Sequence, residues 1–125
     1  MTYSLAIADD HLLIAKALTG IIENFRNYHV LYEVEHGKAL MEKMAMPKNI
    51  PDIVLLDISM PVMDGFTATK EIRRFNNETP IIALTASASA ELLEKILDNG
   101  FNDHVLKPFA PKDLNRSIAK ALLLG

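Results

Sequence analysis

Short apolar runs alternate along this chain with longer stretches in which apolar residues recur at helical spacing. An apolar run such as Ile53–Leu56 predicts a strand that is buried on both sides, as central strands of a parallel sheet are. The second predicted strand instead alternates apolar and polar residues, which is typical of a half-exposed edge strand. The five predicted strands are Leu5–Ala8, Val30–Glu35, Ile53–Leu56, Pro80–Leu84 and His104–Leu106.

Five helices are predicted between and after these strands, because apolar residues lie three or four positions apart. We expect Pro47 and Pro51 to close the second helix, Asn99-Gly100 to end the fourth and Pro111 to open the fifth. The supporting positions are Ile14, Leu18, Ile21, Ile22 and Phe25; Leu40, Met41 and Met44; roughly residues 66–75 after the candidate cap Asp64; Leu92, Leu93, Ile96 and Leu97; and Leu114, Ile118, Ala121 and Leu122.

Strict alternation of strands and helices predicts an α/β fold, a doubly wound parallel sheet with helices on both faces. The length of 125 residues fits a single domain, 1–125. Half the residues are hydrophobic, which is enough for a core, and the net charge of −3 argues against a nucleic-acid surface. The adjacent pair Arg73-Arg74 is expected on a solvated helix face.

Two absences narrow the possible chemistry and location. The chain has no cysteine, which excludes disulfides and thiolate sites and fits a reducing compartment. No apolar run reaches the roughly 18 residues of a membrane span, and the first residues do not start a signal peptide. A cytoplasmic protein without membrane contact is therefore expected.

Chemically useful side chains follow four of the five predicted strands. Asp9 and Asp10 follow the first, Asp57 the third, Thr85 the fourth and Lys107 the fifth. Ligands of doubly wound sheets bind at the carboxyl ends of the strands, so these groups are expected on one rim. Three carboxylates repel one another, and a divalent cation such as Mg²⁺ relieves that repulsion. With a lysine and a hydroxyl nearby, the set predicts phosphoryl transfer to a carboxylate.

Four segments in order make the chain resemble the receiver domains of two-component signalling systems over nearly its full length. The resemblance implies a flavodoxin-like (βα)5 three-layer sandwich with strand order 2-1-3-4-5, and phosphoryl transfer from a histidine kinase or phosphotransfer domain. It implies a signalling domain rather than a turnover enzyme. The segments are Ile7-Ala8-Asp9-Asp10-His11, Leu55 through Gly65, Ala83-Leu84-Thr85-Ala86 and Leu106-Lys107-Pro108-Phe109.

The resemblance also implies the roles of the metal ligands. Asp57 is the expected phosphoacceptor and a ligand of Mg²⁺, for which Mn²⁺ is an alternative. Asp10 and the backbone carbonyl of Ser59 would bind the metal directly, whereas Asp9 would act through a metal-bound water.

Further roles concern the phosphoryl oxygens and the switch. Lys107 would pair with those oxygens, its peptide bond to Pro108 is often cis in such domains, and Thr85 would move inward to hydrogen-bond them. The family usually has Tyr or Phe where this chain has His104, which is either a substitute switch residue or an exposed strand histidine. His11, beside the acidic pair, is either a surface loop residue or a catalytic one.

Other functions remain as alternatives. A haloacid-dehalogenase-like phosphatase uses a similar set but needs a second Asp where this chain has Ser59. A flavodoxin-like cofactor module needs a Gly- and Ser-rich loop where this chain has Asp9-Asp10-His11. A degenerate receiver would act only by protein contact.

The expected partners lie on a second surface. Helix four, strand five and helix five, including residues 92–97 and 113–120, are the expected output face for an output domain, a protein partner or a phosphorylation-dependent homodimer. No output domain follows in this sequence, so we expect excision from a longer response regulator or hybrid kinase, and a stand-alone receiver that relays phosphate is the alternative.

Overall fold

The computed structural model describes residues 2–60, 63–87 and 89–124. Over these residues, strands and helices alternate as the sequence predicts. In chain order they are β1 (Tyr3–Ala8), α1 (Leu12–Glu23), β2 (Tyr28–Val34), α2 (Gly37–Met44), a 3₁₀ turn (Pro47–Asn49), β3 (Ile53–Asp57), α3 (Gly65–Arg73), β4 (Ile81–Thr85), α4 (Ala90–Asp98), β5 (Asp103–Leu106) and α5 (Pro111–Leu124).

The sheet has the strand order β2-β1-β3-β4-β5, and each neighbouring pair is parallel. This confirms the predicted fold and the position of β2 at an edge. Alternate residues of β3 enter opposite cores: Ile53 and Leu55 pack with α1 and α5, while Val54 and Leu56 pack with α2, α3 and α4. Burial on both faces explains why β3 is apolar up to Asp57.

The loop after β3 returns closely against the end of that strand. Asp64 is the N-cap of α3, as predicted, and its carboxylate accepts a hydrogen bond from the Thr67 N–H at 2.8 Å. The next residue must be small, because a Cβ on Gly65 would lie 2.7 Å from the Asp57 carbonyl oxygen. Helix α4 ends near Gly100, whose φ of 96° suits glycine.

The predicted ends of several elements were wrong by a few residues. Phe25 lies beyond the end of α1, and its ring packs edge-on against Tyr28 at 6.0 Å. Its apolar character therefore reflects this contact and not a place in the helix. Glu35 lies outside β2, and Phe75 lies past the end of α3, where it is exposed.

The two adjacent arginines have different environments, so the predicted solvated pair is wrong for one of them. Arg74 is exposed, but Arg73 is half-buried and bonds to two loops. Its Nε donates to the Gly100 carbonyl, and its Nη1 donates to the carbonyls of Asn76 and Thr79. Among all the helices of the described residues, none is long and apolar enough to cross a bilayer.

Candidate functional site

The carboxyl ends of β1 and β3 bring three aspartates together. Asp9 and Asp57 are buried, with 2% and 3% of their surfaces exposed, whereas Asp10 is exposed. One ligand atom from each of these residues and from His11 lies within 4.8 Å of the others. The predicted convergence of Asp9, Asp10 and Asp57 is therefore present in the structure, and His11 joins it.

The two oxygens of Asp57 have different surroundings. Oδ1 accepts a hydrogen bond from the Ser59 N–H at 3.0 Å, which fixes the carboxylate plane. Oδ2 is buried and accepts no hydrogen bond from the described residues. It lies 3.3 Å from Lys107 Nζ, which is an ion-pair distance without hydrogen-bond alignment. The second oxygen of this buried carboxylate thus lies beside the ammonium group of Lys107.

Lys107 links the ends of β1, β3 and β4. Its Nζ donates to Asp9 Oδ2 at 3.2 Å, and its backbone N–H donates to the Thr85 carbonyl at 2.8 Å. The peptide bond between Lys107 and Pro108 is cis. The amine is consequently shared between two carboxylates, as charge neutralisation in a crowded acidic site requires.

The surroundings of Asp57 raise the pKa of its carboxyl group. Burial is the main cause, and the nearby charge of Asp9 adds to it. The Ser59 N–H and the Lys107 ammonium act in the opposite direction, because both favour the ionised form. Once ionised, a carboxylate with a raised pKa is more basic and a better nucleophile than an exposed one.

Thr85 lines a cavity of about 380 Å³ together with residues that include Asp57, Ala86 and Lys107. The hydroxyl of Thr85 donates to the Ser87 carbonyl at 3.0 Å and accepts from the Ser87 N–H at 3.1 Å. These two bonds hold the hydroxyl against its own loop. Motion of Thr85 toward Asp57 would have to break them.

The two histidines singled out in the sequence differ in position. His104 is half-buried on β5, with Nδ1 3.7 Å from Asp103 Oδ1, and its role in switching remains a prediction. His11 Nδ1 lies 3.3 Å from Asp9 Oδ1 and 3.2 Å from Asp10 Oδ1. The sequence signal for His11 was only its place directly after the acidic pair.

Comparison with known proteins identifies the family. The family model of the response regulator receiver domain matches residues 5–119. The chain belongs to this family. It is therefore a signalling domain of two-component systems, and the receiver resemblance and fold predicted from the sequence are confirmed. The phosphatase and cofactor-module alternatives are not favoured.

Similar proteins differ in how much of their length the receiver domain spans. The chemotaxis protein CheY of Bacillus subtilis is 30% identical over 98% of this chain and 99% of CheY. The regulatory protein AtoC of Escherichia coli is 46% identical over 59% of this chain, which is 16% of AtoC. The chain thus spans under a fifth of that relative. A solved CheX-CheY-BeF3-Mg²⁺ complex from Borrelia burgdorferi aligns with a TM-score of 0.87 and 25% identity, over 94% of this chain and 87% of that one.

Proposed function

We propose that this receiver domain accepts a phosphoryl group on Asp57 from the phosphohistidine of a histidine kinase or a phosphotransfer domain. The observation that carries the proposal is the state of Asp57 Oδ2. It is a buried carboxylate oxygen that accepts no hydrogen bond from the described residues, 3.3 Å from Lys107 Nζ at a cavity. A structural aspartate would be expected to have its second oxygen satisfied by a donor.

In the proposed transfer, a carboxylate oxygen of Asp57 forms a bond to phosphorus as the bond from phosphorus to the donor imidazole nitrogen breaks. The imidazole leaves as the neutral ring after taking a proton from solvent. Lys107 neutralises charge on the phosphoryl oxygens, and the Ser59 N–H orients the attacking carboxylate. Ala86 leaves space at the cavity for the incoming group.

The residues at this rim also fit a divalent cation. Three carboxylates within one cluster, one with a free buried oxygen, are a hard oxygen set of the kind that Mg²⁺ binds. We assign Asp10, Asp57 and the Ser59 carbonyl as direct ligands and Asp9 as a ligand through water, with Mn²⁺ as an alternative ion. When bound, the cation would neutralise phosphoryl charge. The CheX-CheY-BeF3-Mg²⁺ complex from B. burgdorferi, which aligns with this chain, also contains Mg²⁺.

Intact mass spectrometry tests the phosphoacceptor. The chain is incubated with Mg²⁺ and phosphoramidate, and one phosphoryl adduct is expected. Asp57→Asn should abolish the adduct, because an amide is not a nucleophile here. Asp98→Asn, which changes an exposed aspartate at the end of α4, should retain it. An adduct that persists in Asp57→Asn, or none with any donor, would contradict the proposal, and the second result would favour the degenerate receiver.

The phosphodonor protein is proposed to dock beside the site. An apolar groove of about 420 Å³ lies between α1 and the segment after β5, lined by residues that include Ile14, Ala17, Ile21 and Phe109. Ile14 and Lys107 line both this groove and the acidic cavity, so the groove adjoins the site that the histidine of a donor protein would have to reach. Ala17→Glu should therefore lower the ratio of phosphorylation by a phosphotransfer protein to phosphorylation by phosphoramidate. An unchanged ratio would exclude this face.

The output face is proposed to be α4, β5 and α5. Leu97, Leu106 and Leu123 on these elements are exposed at 63%, 43% and 86%, which leaves apolar surface for an output domain, a protein partner or a second phosphorylated copy. Thr85, at the end of β4, would couple this face to the phosphoryl group by exchanging its Ser87 bonds for a phosphoryl oxygen. His104 lies on β5, which pairs with β4, and would follow the motion of Thr85.

A further inference from the structure

His11 occupies an unusual place for a residue at the start of a helix. It is the N-cap of α1, but its side chain makes no capping hydrogen bond. The other histidine at an N-cap, His36, behaves differently, because its Nδ1 accepts a hydrogen bond from the Ala39 N–H at 3.1 Å and caps α2. The Nδ1 atom of His11 is instead turned toward the aspartates.

The distances around His11 Nδ1 resemble the spacing between ligands of one metal ion. Nδ1 lies 3.3 Å from Asp9 Oδ1, 3.2 Å from Asp10 Oδ1 and 4.0 Å from Asp57 Oδ2. Ligands about 2.1 Å from a metal are about 3.0 Å apart at neighbouring octahedral positions and about 3.4 Å apart in a tetrahedron. The 3.2 Å between His11 Nδ1 and Asp10 Oδ1 therefore suits two ligands of one ion, whereas the contact with Asp9 Oδ1, which is assigned as a ligand through water, is within hydrogen-bond range.

A second observation points to a cation here. Asp57 Oδ2 is buried, accepts no hydrogen bond within the described part of the chain, and faces the same cluster as His11 Nδ1. An uncompensated buried carboxylate oxygen is costly unless a cation or donor reaches it. Lys107 Nζ lies 3.3 Å from this oxygen, and a metal ion bound in the cluster that includes His11 and Asp10 would supply a second positive charge.

We propose that His11 is a ligand of this metal site through Nδ1 and raises its affinity for divalent transition metals such as Mn²⁺, Co²⁺ and Zn²⁺ relative to Mg²⁺. The proposal rests on the proposed function, since it concerns the same cation site. Mg²⁺ prefers oxygen ligands, whereas imidazole nitrogen suits the later metals, whose affinity rises along the Irving–Williams order. The lone pair of a neutral imidazole, with its proton on Nε2, would supply the bond.

Metal affinities measured by titration calorimetry test the proposal. The ratio of the Mg²⁺ dissociation constant to that of Co²⁺ should fall about tenfold or more in His11→Ala, because loss of a ligand affects the later metal more. His11→Gln keeps a polar side chain at this position, and the ratio should fall by a similar factor in this variant. His29→Ala removes an exposed histidine on β2 and should leave the ratio unchanged. Pulsed EPR of bound Mn²⁺ should detect nitrogen coupling in the wild type and in His29→Ala, but not in His11→Ala.

The outcomes separate this proposal from the proposed function. Absence of nitrogen coupling in the wild type, or an unchanged metal ratio in His11→Ala and His11→Gln, would overturn the role of His11. A phosphoryl adduct on Asp57 in the same preparations would show that only this inference had failed. If no divalent cation bound to the wild type at all, the inference and the proposed metal site would both be refuted.

Discussion

Replacement of Arg73 by alanine should destabilise the domain far more than replacement of its neighbour Arg74. The guanidinium of Arg73 donates four hydrogen bonds, to Gly100 O at 3.0 Å, Asn76 O at 3.1 Å, Thr79 O at 2.8 Å and Asn102 Oδ1 at 2.9 Å. These acceptors lie on the loop before β4 and the loop before β5. One side chain therefore joins the entries to two neighbouring strands.

The magnitude follows from the number of bonds lost. A net hydrogen bond contributes about 0.5–1.5 kcal/mol, and water can reach some of the freed acceptors, so a value near the lower end applies to each of the four. The free energy of unfolding should fall by about 3 kcal/mol, and the melting temperature of a domain of this size by about 12 °C. Arg74 is 77% exposed and pairs with Glu71 at 3.6 Å, so Arg74→Ala should lower stability by less than about 0.5 kcal/mol.

Urea unfolding and thermal melting of both variants would measure this difference. Arg73→Lys adds a test of geometry, since a lysine ammonium cannot reproduce the planar fork and should recover less than half of the loss. Equal destabilisation by Arg73→Ala and Arg74→Ala would refute the reasoning. Full recovery by lysine would show that charge, and not the set of four bonds, is what matters.

Three further predictions concern the acidic site and its supports. Burial raises the pKa of Asp57, so its ionised form destabilises the folded state once the pH rises through that pKa. Without divalent cations, Asp57→Asn should therefore melt higher than the wild type at pH 7, with the difference vanishing near the ordinary carboxyl value of 3.8; a difference independent of pH would contradict this. Gly65→Ala should lower the free energy of unfolding by about 1–3 kcal/mol and slow phosphorylation, because the new Cβ would lie 2.7 Å from the Asp57 carbonyl oxygen. In the control Gly20→Ala, the new Cβ has nothing within 4 Å, so chemical denaturation should show unchanged or higher stability. Thr85→Ala should still be phosphorylated, but phosphorylation should no longer change the NMR chemical shifts of α4 and β5. Thr85→Ser keeps the hydroxyl and should keep these shift changes. If Thr85→Ala showed the same shift changes as the wild type, the proposed coupling would be excluded.

The sequence predicted most of the fold, and it predicted which residues meet at the rim. Periodicity reports which side of an element is buried, so the five strands and the edge position of β2 could be found from it. Element ends were less accurate. Phe25 is apolar because it contacts Tyr28, and a pattern cannot distinguish such a contact from a place in a helix.

Within the site, residue types and strand ends indicated Asp9, Asp10, Asp57, Thr85 and Lys107 without any coordinates. Parallel strands all end on one edge of the sheet, so their last residues must converge there. By this rule the sequence alone determines the chemical class of the site, an acidic rim with one amine and one hydroxyl.

Tertiary structure decided which hydrogen-bond and ion-pair partners each of those side chains has. Only packing shows that Asp57 Oδ2 lacks a donor in the described residues while Oδ1 has one, and that Thr85 is bonded to Ser87. Only packing turns His11 toward the aspartates and gives Arg73 its four acceptors. These contacts depend on the distances between loops far apart in the chain, and side-chain directions there are set by the packed whole and not by local periodicity.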